Sequence, residues 1–179
     1  MAQSLQARAT RANAVPAGVA AGIVGIVMLV QAILRTFVAV FSNVAYSSAG
    51  GINTGYDPGN VLAPFGQLFV ELGTTVIPAA IGVFLAFWLL VPLVPELRVP
   101  RVVVRSLVAA AIAAALVLVF TAVYSGSSIF SGQQSFAYAV FGTAQAGLYT
   151  FINVTPLVIL AGFLAWFWVS KGRPAASAL

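Results

Sequence analysis

From Val15 to Phe41 the sequence carries a single ionisable side chain, Arg35, and the stretches at about 67–93, 101–124 and 147–169 are nearly as bare of charge. Each reaches or exceeds the roughly 20 apolar residues that cross a hydrocarbon core about 30 Å thick. The chain as a whole is 61% hydrophobic and 6% charged over 179 residues, with a mean hydropathy of +1.06. No water-soluble domain of this length has interior enough to hide so much apolar surface. Lipid is therefore the expected solvent, and in lipid every backbone N–H and C=O needs a partner inside the protein, which leaves helices or a closed barrel. Barrel strands alternate apolar and polar residues. Val19–Val30 and Ala109–Phe120 are almost unbroken apolar runs, which argues for helices.

The expected fold is thus an all-α membrane protein, a four-transmembrane-helix bundle. Residues 1–14 form a polar N-terminal segment, 15–169 the membrane domain and 170–179 a polar tail. The helices lie at about 15–41, 67–93, 101–124 and 147–169. The first reads as an uncleaved anchor. Ser47-Ser48-Ala49 loosely fits a small-x-small cleavage rule, but the apolar stretch exceeds the roughly 7–15 residues of a removable signal. Gly, Ser, Asn and Pro mark 42–66 as a loop, with Gly50-Gly51 and Asp57-Pro58-Gly59 as turn signals. A tight connection follows at 94–100, where Pro95 and Pro100 break the helix and Glu96 and Arg98 keep the turn out of the bilayer. Residues 125–134 form a second outer loop, and 135–146 a short interfacial helix or re-entrant piece.

Cations set the expected orientation. Arg8 and Arg11, then Arg98, Arg101 and Arg105, then Lys171 and Arg173 fall on one side of a four-span arrangement, which the positive-inside rule makes cytoplasmic for both termini. Trp88, Trp166 and Trp168 gather toward that side, and Tyr46, Tyr56, Tyr124, Tyr138 and Tyr149 toward the other, as interfacial belts do. Seven arginines stand against one lysine; with abundant Ala and Val, that residue usage suggests a GC-rich bacterial genome and hence a bacterial plasma membrane.

Shifting the chain against itself by 78 residues without a gap lays helix 1 on helix 3 and helix 2 on helix 4. Tyr46-Ser47 then meets Tyr124-Ser125, Gln67 meets Gln145, Val76-x-Pro78 meets Val154-x-Pro156, and Trp88 meets Trp166. The pattern fits a tandem duplication of a two-helix hairpin, with both halves in one orientation.

The chain has no cysteine and no histidine, and its acidic residues are Asp57, Glu71 and Glu96 alone. That removes disulfides, thiol chemistry, imidazole metal sites and histidine bases. No nucleophile and base pair, phosphate loop or dinucleotide fingerprint is present either, so neither catalysis, a cofactor nor a metal is expected. The net charge of +5 does not point to nucleic acid, because the cations flank apolar spans, where lipid headgroups explain them better.

Arg35 and Glu71 stand at similar depth near the outer boundary. Ionisable groups there are costly and pair or face a cavity. A structural ion pair or separate snorkelling is the preferred reading, and a gate or proton-linked switch the alternative. Pro78 and Pro156 should kink helices 2 and 4 and free the carbonyls of Thr74 and Ile152, with Thr74, Thr75, Asn153 and Thr155 close enough to satisfy them. Asn153-Val154-Thr155 spells a glycosylation acceptor but falls inside a span. Small residues recur at four-residue spacing in Gly18/Gly22, Ala21/Gly25, Gly82/Ala86 and Ala161/Ala165, as close helix packing in lipid requires, here mostly within one chain. Arg98, Arg101 and Arg105 share a helical stripe suited to anionic headgroups.

Together these features suggest a small non-catalytic integral membrane protein, an accessory or structural subunit. Its partners would be the bilayer and other membrane subunits or further copies of itself. The alternative is a small oligomeric transporter or channel built on Arg35 and Glu71.

Overall fold

The computed structural model describes residues 11–50, 59–94, 97–132 and 135–171. Among these residues there is no strand. Helix α1 spans Arg11–Gly50. A second rod is composite: α2 (Gly59–Glu71), a π-helical turn at Leu72–Val76, α3 (Ile77–Leu85) and a second π-helical stretch at Ala86–Leu90. Helix α4 spans Val99–Phe130 and α5 spans Phe136–Lys171. Four stretches, Asn13–Ala45, Ala63–Leu90, Val99–Ser127 and Phe136–Lys171, are long and apolar enough to cross a membrane. Arg8, Asp57, Pro95, Glu96, Arg173 and most of the two polar termini lie outside the described residues.

The helices overrun their expected outer ends. Residues 42–50 and 59–66 are helical where a loop is expected, and so are 125–130; residues 136–146 are no separate piece but the first turns of α5. The reason is energetic: Ser, Asn and Gly cost only tenths of a kcal/mol to about 1 kcal/mol each in a helix, while an existing helix gains a hydrogen bond with every residue added. Cap chemistry stops α4 and starts α5. Gly132 takes a left-handed φ of 72° and donates its N–H to the carbonyl of Ile129 at 2.9 Å, as a helix-ending glycine does. Ser135 accepts the Tyr138 N–H on its hydroxyl at 3.4 Å, in the N-cap position of α5. Pro100 falls in the first turn of α4; it opens that helix, because a first-turn residue has no intrahelical partner for an N–H.

Each rod packs on its neighbours in chain order and α1 packs on α5, which closes a ring. The core is made of small residues: Ala20, Val24, Ala79, Val83, Ala86, Phe87, Val102, Ala109, Ala110, Ala113, Val117, Val158, Ala161 and Ala165 are all at most 1% exposed. Backbones therefore approach closely, and a Cβ placed on Gly82 would lie 2.6 Å from the Cα of Ala113. Of the four small-residue stripes, Gly82/Ala86 and Ala161/Ala165 face this core, Ala21 is buried, and Gly25 is half-buried beside Ala80. Gly18 and Gly22 face outward and meet nothing.

Trp88 and Trp166 stand near the ends of their helices with their rings turned into the bundle. Both are half-buried against the core, with their Nε1 atoms buried and without a partner among the described residues. Trp88 lies 5.3 Å from Phe84 and Trp166 lies 6.4 Å from Phe163, ring centre to ring centre. Trp168, 55% exposed, is turned outward. Packing of a large flat ring against alanine-rich helices buries much apolar area.

A stringent contact joins α4 and α5. A Cβ on Gly162 would fall 2.3 Å from the hydroxyl of Ser106 and 3.3 Å from Phe87, while that hydroxyl is buried with no partner among the described residues. Gly162→Ala should therefore lose about 1–3 kcal/mol through overpacking. Ser106→Ala removes an unsatisfied polar atom, so by itself it should be neutral or stabilising. Thermal unfolding in detergent should find Gly162→Ala clearly less costly in the Ser106→Ala background than in the parent; an equal cost in both backgrounds would contradict this contact.

Candidate functional site

Arg35 projects from α1 and Glu71 closes α2. Arg35 donates from Nη2 to Oε1 of Glu71 at 2.9 Å and from Nε to the carbonyl of Gln31, one turn earlier, at 3.3 Å. The side chains are 52% and 28% exposed. Ion pairing, left open between pairing and snorkelling by the sequence, is what the side chains adopt.

Local backbone chemistry explains the placement of Glu71. Pro78 lacks an N–H, and its ring would collide with the carbonyl four residues earlier in a regular helix. The π turn at Leu72–Val76, closed by the Ile77 N–H on the carbonyl of Leu72, widens the helix immediately before the proline and absorbs that clash. Glu71 is the last residue before this widening. Pro78 is buried, whereas Pro156 is exposed within an α-helix that continues through it. The two matched prolines thus differ locally. The neighbouring polar side chains also bond elsewhere than expected: Thr74 to the carbonyl of Val70 at 2.8 Å, Asn153 to that of Tyr149 at 2.8 Å, and Thr155 to that of Phe151. The carbonyls of Thr74 and Ile152 are not their targets, because a side chain folded back along its own helix reaches an earlier turn.

Glu71 lies between two concavities. One, of about 200 Å³, opens between α1, the second rod and α5; its polar lining includes Gln31, Arg35, Glu71, Thr75, Thr150 and Asn153, and Met28, Val154 and Leu157 add apolar surface. The other is an open groove of about 560 Å³ that passes Gln67, Thr74, Thr75 and Tyr124. Toward the opposite end of the bundle the interior is closed by Val24, Val83, Phe87, Val117 and Val158, all at most 1% exposed. The first concavity was only partly visible in the sequence. Gln31 stands one turn from Arg35 and Thr150 one turn from Asn153, but no spacing rule shows that α5 contributes to the same site.

The three arginines of the expected headgroup stripe divide. Arg98 and Arg101 are exposed. Arg105 is half-buried and donates from Nη1 to the carbonyl of Pro92, beyond the second π-helical stretch, so it ties the connection to α4 instead of joining the exposed pair. A cation there also complements the carbonyl end of the second rod. Arg105→Ala should cost about 1.5–3 kcal/mol, as loss of a charged hydrogen bond does, while Arg101→Ala should stay within about 0.5 kcal/mol. Detergent unfolding curves compare the two directly; equal losses would contradict the fastening role.

Among the described residues no cluster of acidic side chains offers a metal site. Compared with known proteins, the chain matches no family, no curated protein and no solved structure.

Proposed function

We propose that this chain is a non-catalytic integral membrane protein that works as an accessory subunit, held against a partner protein by the outer part of its bundle. The observation that carries the proposal is the height of its apolar surface. On α1 the exposed hydrophobic side chains run from Val15 to Val44, about 45 Å at 1.5 Å per residue. A hydrocarbon core covers about 30 Å, and an average tilt of about 20° shortens the span by less than a tenth. With Arg98, Arg101, Lys171 and Trp168 at the cytoplasmic interface, the surplus stands at the other end. There Phe41, Phe69, Phe130 and Phe141 are 70%, 72%, 95% and 77% exposed. Apolar surface in such a place calls for protein cover.

The closed interior beyond the ion pair supports a holding role over conduction. Both termini are proposed to be cytoplasmic and the membrane to be a bacterial plasma membrane. The tandem duplication is retained as a proposal for the fold, with Arg35 and Glu71 belonging to the first half alone: their counterparts at the 78-residue offset are Ala113 and Tyr149. Reconstituted into liposomes, the purified chain should release trapped ions and small solutes no faster than protein-free vesicles. A flux that falls in Glu71→Gln at equal abundance would replace this proposal with the transporter reading.

A further inference from the structure

The 200 Å³ cavity beside Arg35 and Glu71 has more chemistry than a structural ion pair needs. Its lining brings amide and hydroxyl groups from α1, the second rod and α5 around the two charges, and Thr150, only 4% exposed, adds a hydroxyl at its buried side. Apolar surface from Met28, Val154 and Leu157 completes it. The pair itself occupies Nη2 and Oε1, with Nε on the carbonyl of Gln31. A guanidinium has five N–H donors and a carboxylate about four acceptor positions, so both groups retain capacity to bind a guest.

The signs of the charges select the guest. A lone anion drawn to Arg35 would meet the carboxylate of Glu71, and a lone cation drawn to Glu71 would meet the guanidinium. An uncharged apolar group would take water from the pair's remaining N–H groups and oxygens without replacing its hydrogen bonds, which is costly. A molecule with an ammonium at one end and a phosphate or carboxylate at the other answers both, inserting as an alternating chain of charges: guanidinium, anion, ammonium, carboxylate. Charge-assisted hydrogen bonds of this kind are the strong ones. Size agrees, since a cavity of about 200 Å³ is far larger than the space that holds a single water and has room for a small zwitterionic head. Gln31, Arg35, Tyr149 and Asn153 are exposed, so the guest can enter from the side of the bundle between α1 and α5.

We propose that this cavity binds a small zwitterion, its ammonium on Glu71 and its phosphate or carboxylate on Arg35. Two sources carry that chemistry, the headgroup of an ethanolamine phospholipid and a free water-soluble zwitterion. Only the lipid source rests on the bundle lying in a membrane.

The test uses the full chain, delipidated and placed in nanodiscs of phosphatidylglycerol with a minor share of phosphatidylethanolamine. Phosphatidylethanolamine retention is read by native mass spectrometry, and phosphoethanolamine binding is read by calorimetry in detergent. The variants are Arg35→Gln, Glu71→Gln, Ala146→Phe, which fills the cavity and spares the pair, and the nearly isosteric Thr150→Val. We expect at least one probe to bind, with at least tenfold loss in the first three variants and a several-fold loss in Thr150→Val. Selective retention of the phospholipid over phosphatidylglycerol assigns the lipid source, and binding of phosphoethanolamine alone assigns the soluble one. Binding of neither probe overturns the proposal, as does binding indifferent to both Ala146→Phe and Thr150→Val. Alkaline carbonate extraction of native membranes reports separately on membrane insertion, so its failure is distinguishable from failure of the site.

Discussion

Gly82→Val should be the most damaging single substitution in the bundle, with a loss above about 3 kcal/mol or no folded protein at all. A Cβ at this position meets the Cα of Ala113 at 2.6 Å and its backbone nitrogen at 3.1 Å. Neither atom can rotate away, so α3 and α4 must separate. Ordinary overpacking, where side chains can still yield, costs about 1–3 kcal/mol; here the neighbouring contacts of Ala79, Val83, Ala86, Ala109 and Val117, all 0% exposed, loosen together. Their close packing is a main source of cohesion between helices in lipid. Gly18→Ala and Gly22→Ala provide the contrast. An added Cβ meets nothing within 4 Å at either position, and alanine gains up to about 1 kcal/mol of helix propensity over glycine, so both variants should equal or exceed the parent in detergent unfolding. A stable Gly82→Val would contradict the α3–α4 contact.

The second large effect falls on the ion pair. Glu71→Leu leaves the Arg35 guanidinium without its carboxylate, and in the membrane setting proposed above an unpaired charge costs up to about 2.5–3.5 kcal/mol at a helix centre on insertion scales, less toward the boundary. We expect a loss of about 2 kcal/mol for Glu71→Leu and a similar loss for Arg35→Leu. The double variant should recover most of it, because removing both partners is far milder than stranding one. A double-mutant cycle read by unfolding should give a coupling of about 1–3 kcal/mol. Additive losses would mean that the 2.9 Å contact contributes no stability.

The helices themselves were legible because charge depletion over 15–41, 67–93, 101–124 and 147–169 marks four long apolar stretches, and a helix satisfies its backbone groups within itself. Their outer ends were not, since Ser, Asn and Gly at 42–50 and 125–130 read as loop on propensity alone, while a continuing helix overrides such small preferences. The stop signals were nonetheless present in Gly132 and Ser135, one a left-handed cap and the other an N-cap. Arg35 and Glu71 could be singled out as the ionisable residues of their spans. Their pairing could not, because it depends on how α1 and the second rod are rotated about their axes. The π turn before Pro78 was equally hidden. Pro156 occupies the matching place after a similar Val-x-Pro pattern, yet α5 continues through it, so the difference lies in packing: Pro78 is buried in the bundle and Pro156 is at its surface. Arg105 joined Arg98 and Arg101 on helical spacing, and only the path of the chain through Pro92 separates it from them.

The proposal of an accessory subunit stands or falls on what accompanies the protein. Native mass spectrometry after gentle extraction from its own membrane should find the chain in fixed stoichiometry with a second protein, released when the exposed aromatics Phe41, Phe69 and Phe141 are replaced by serine. The chain found alone, or only with copies of itself, would contradict that account.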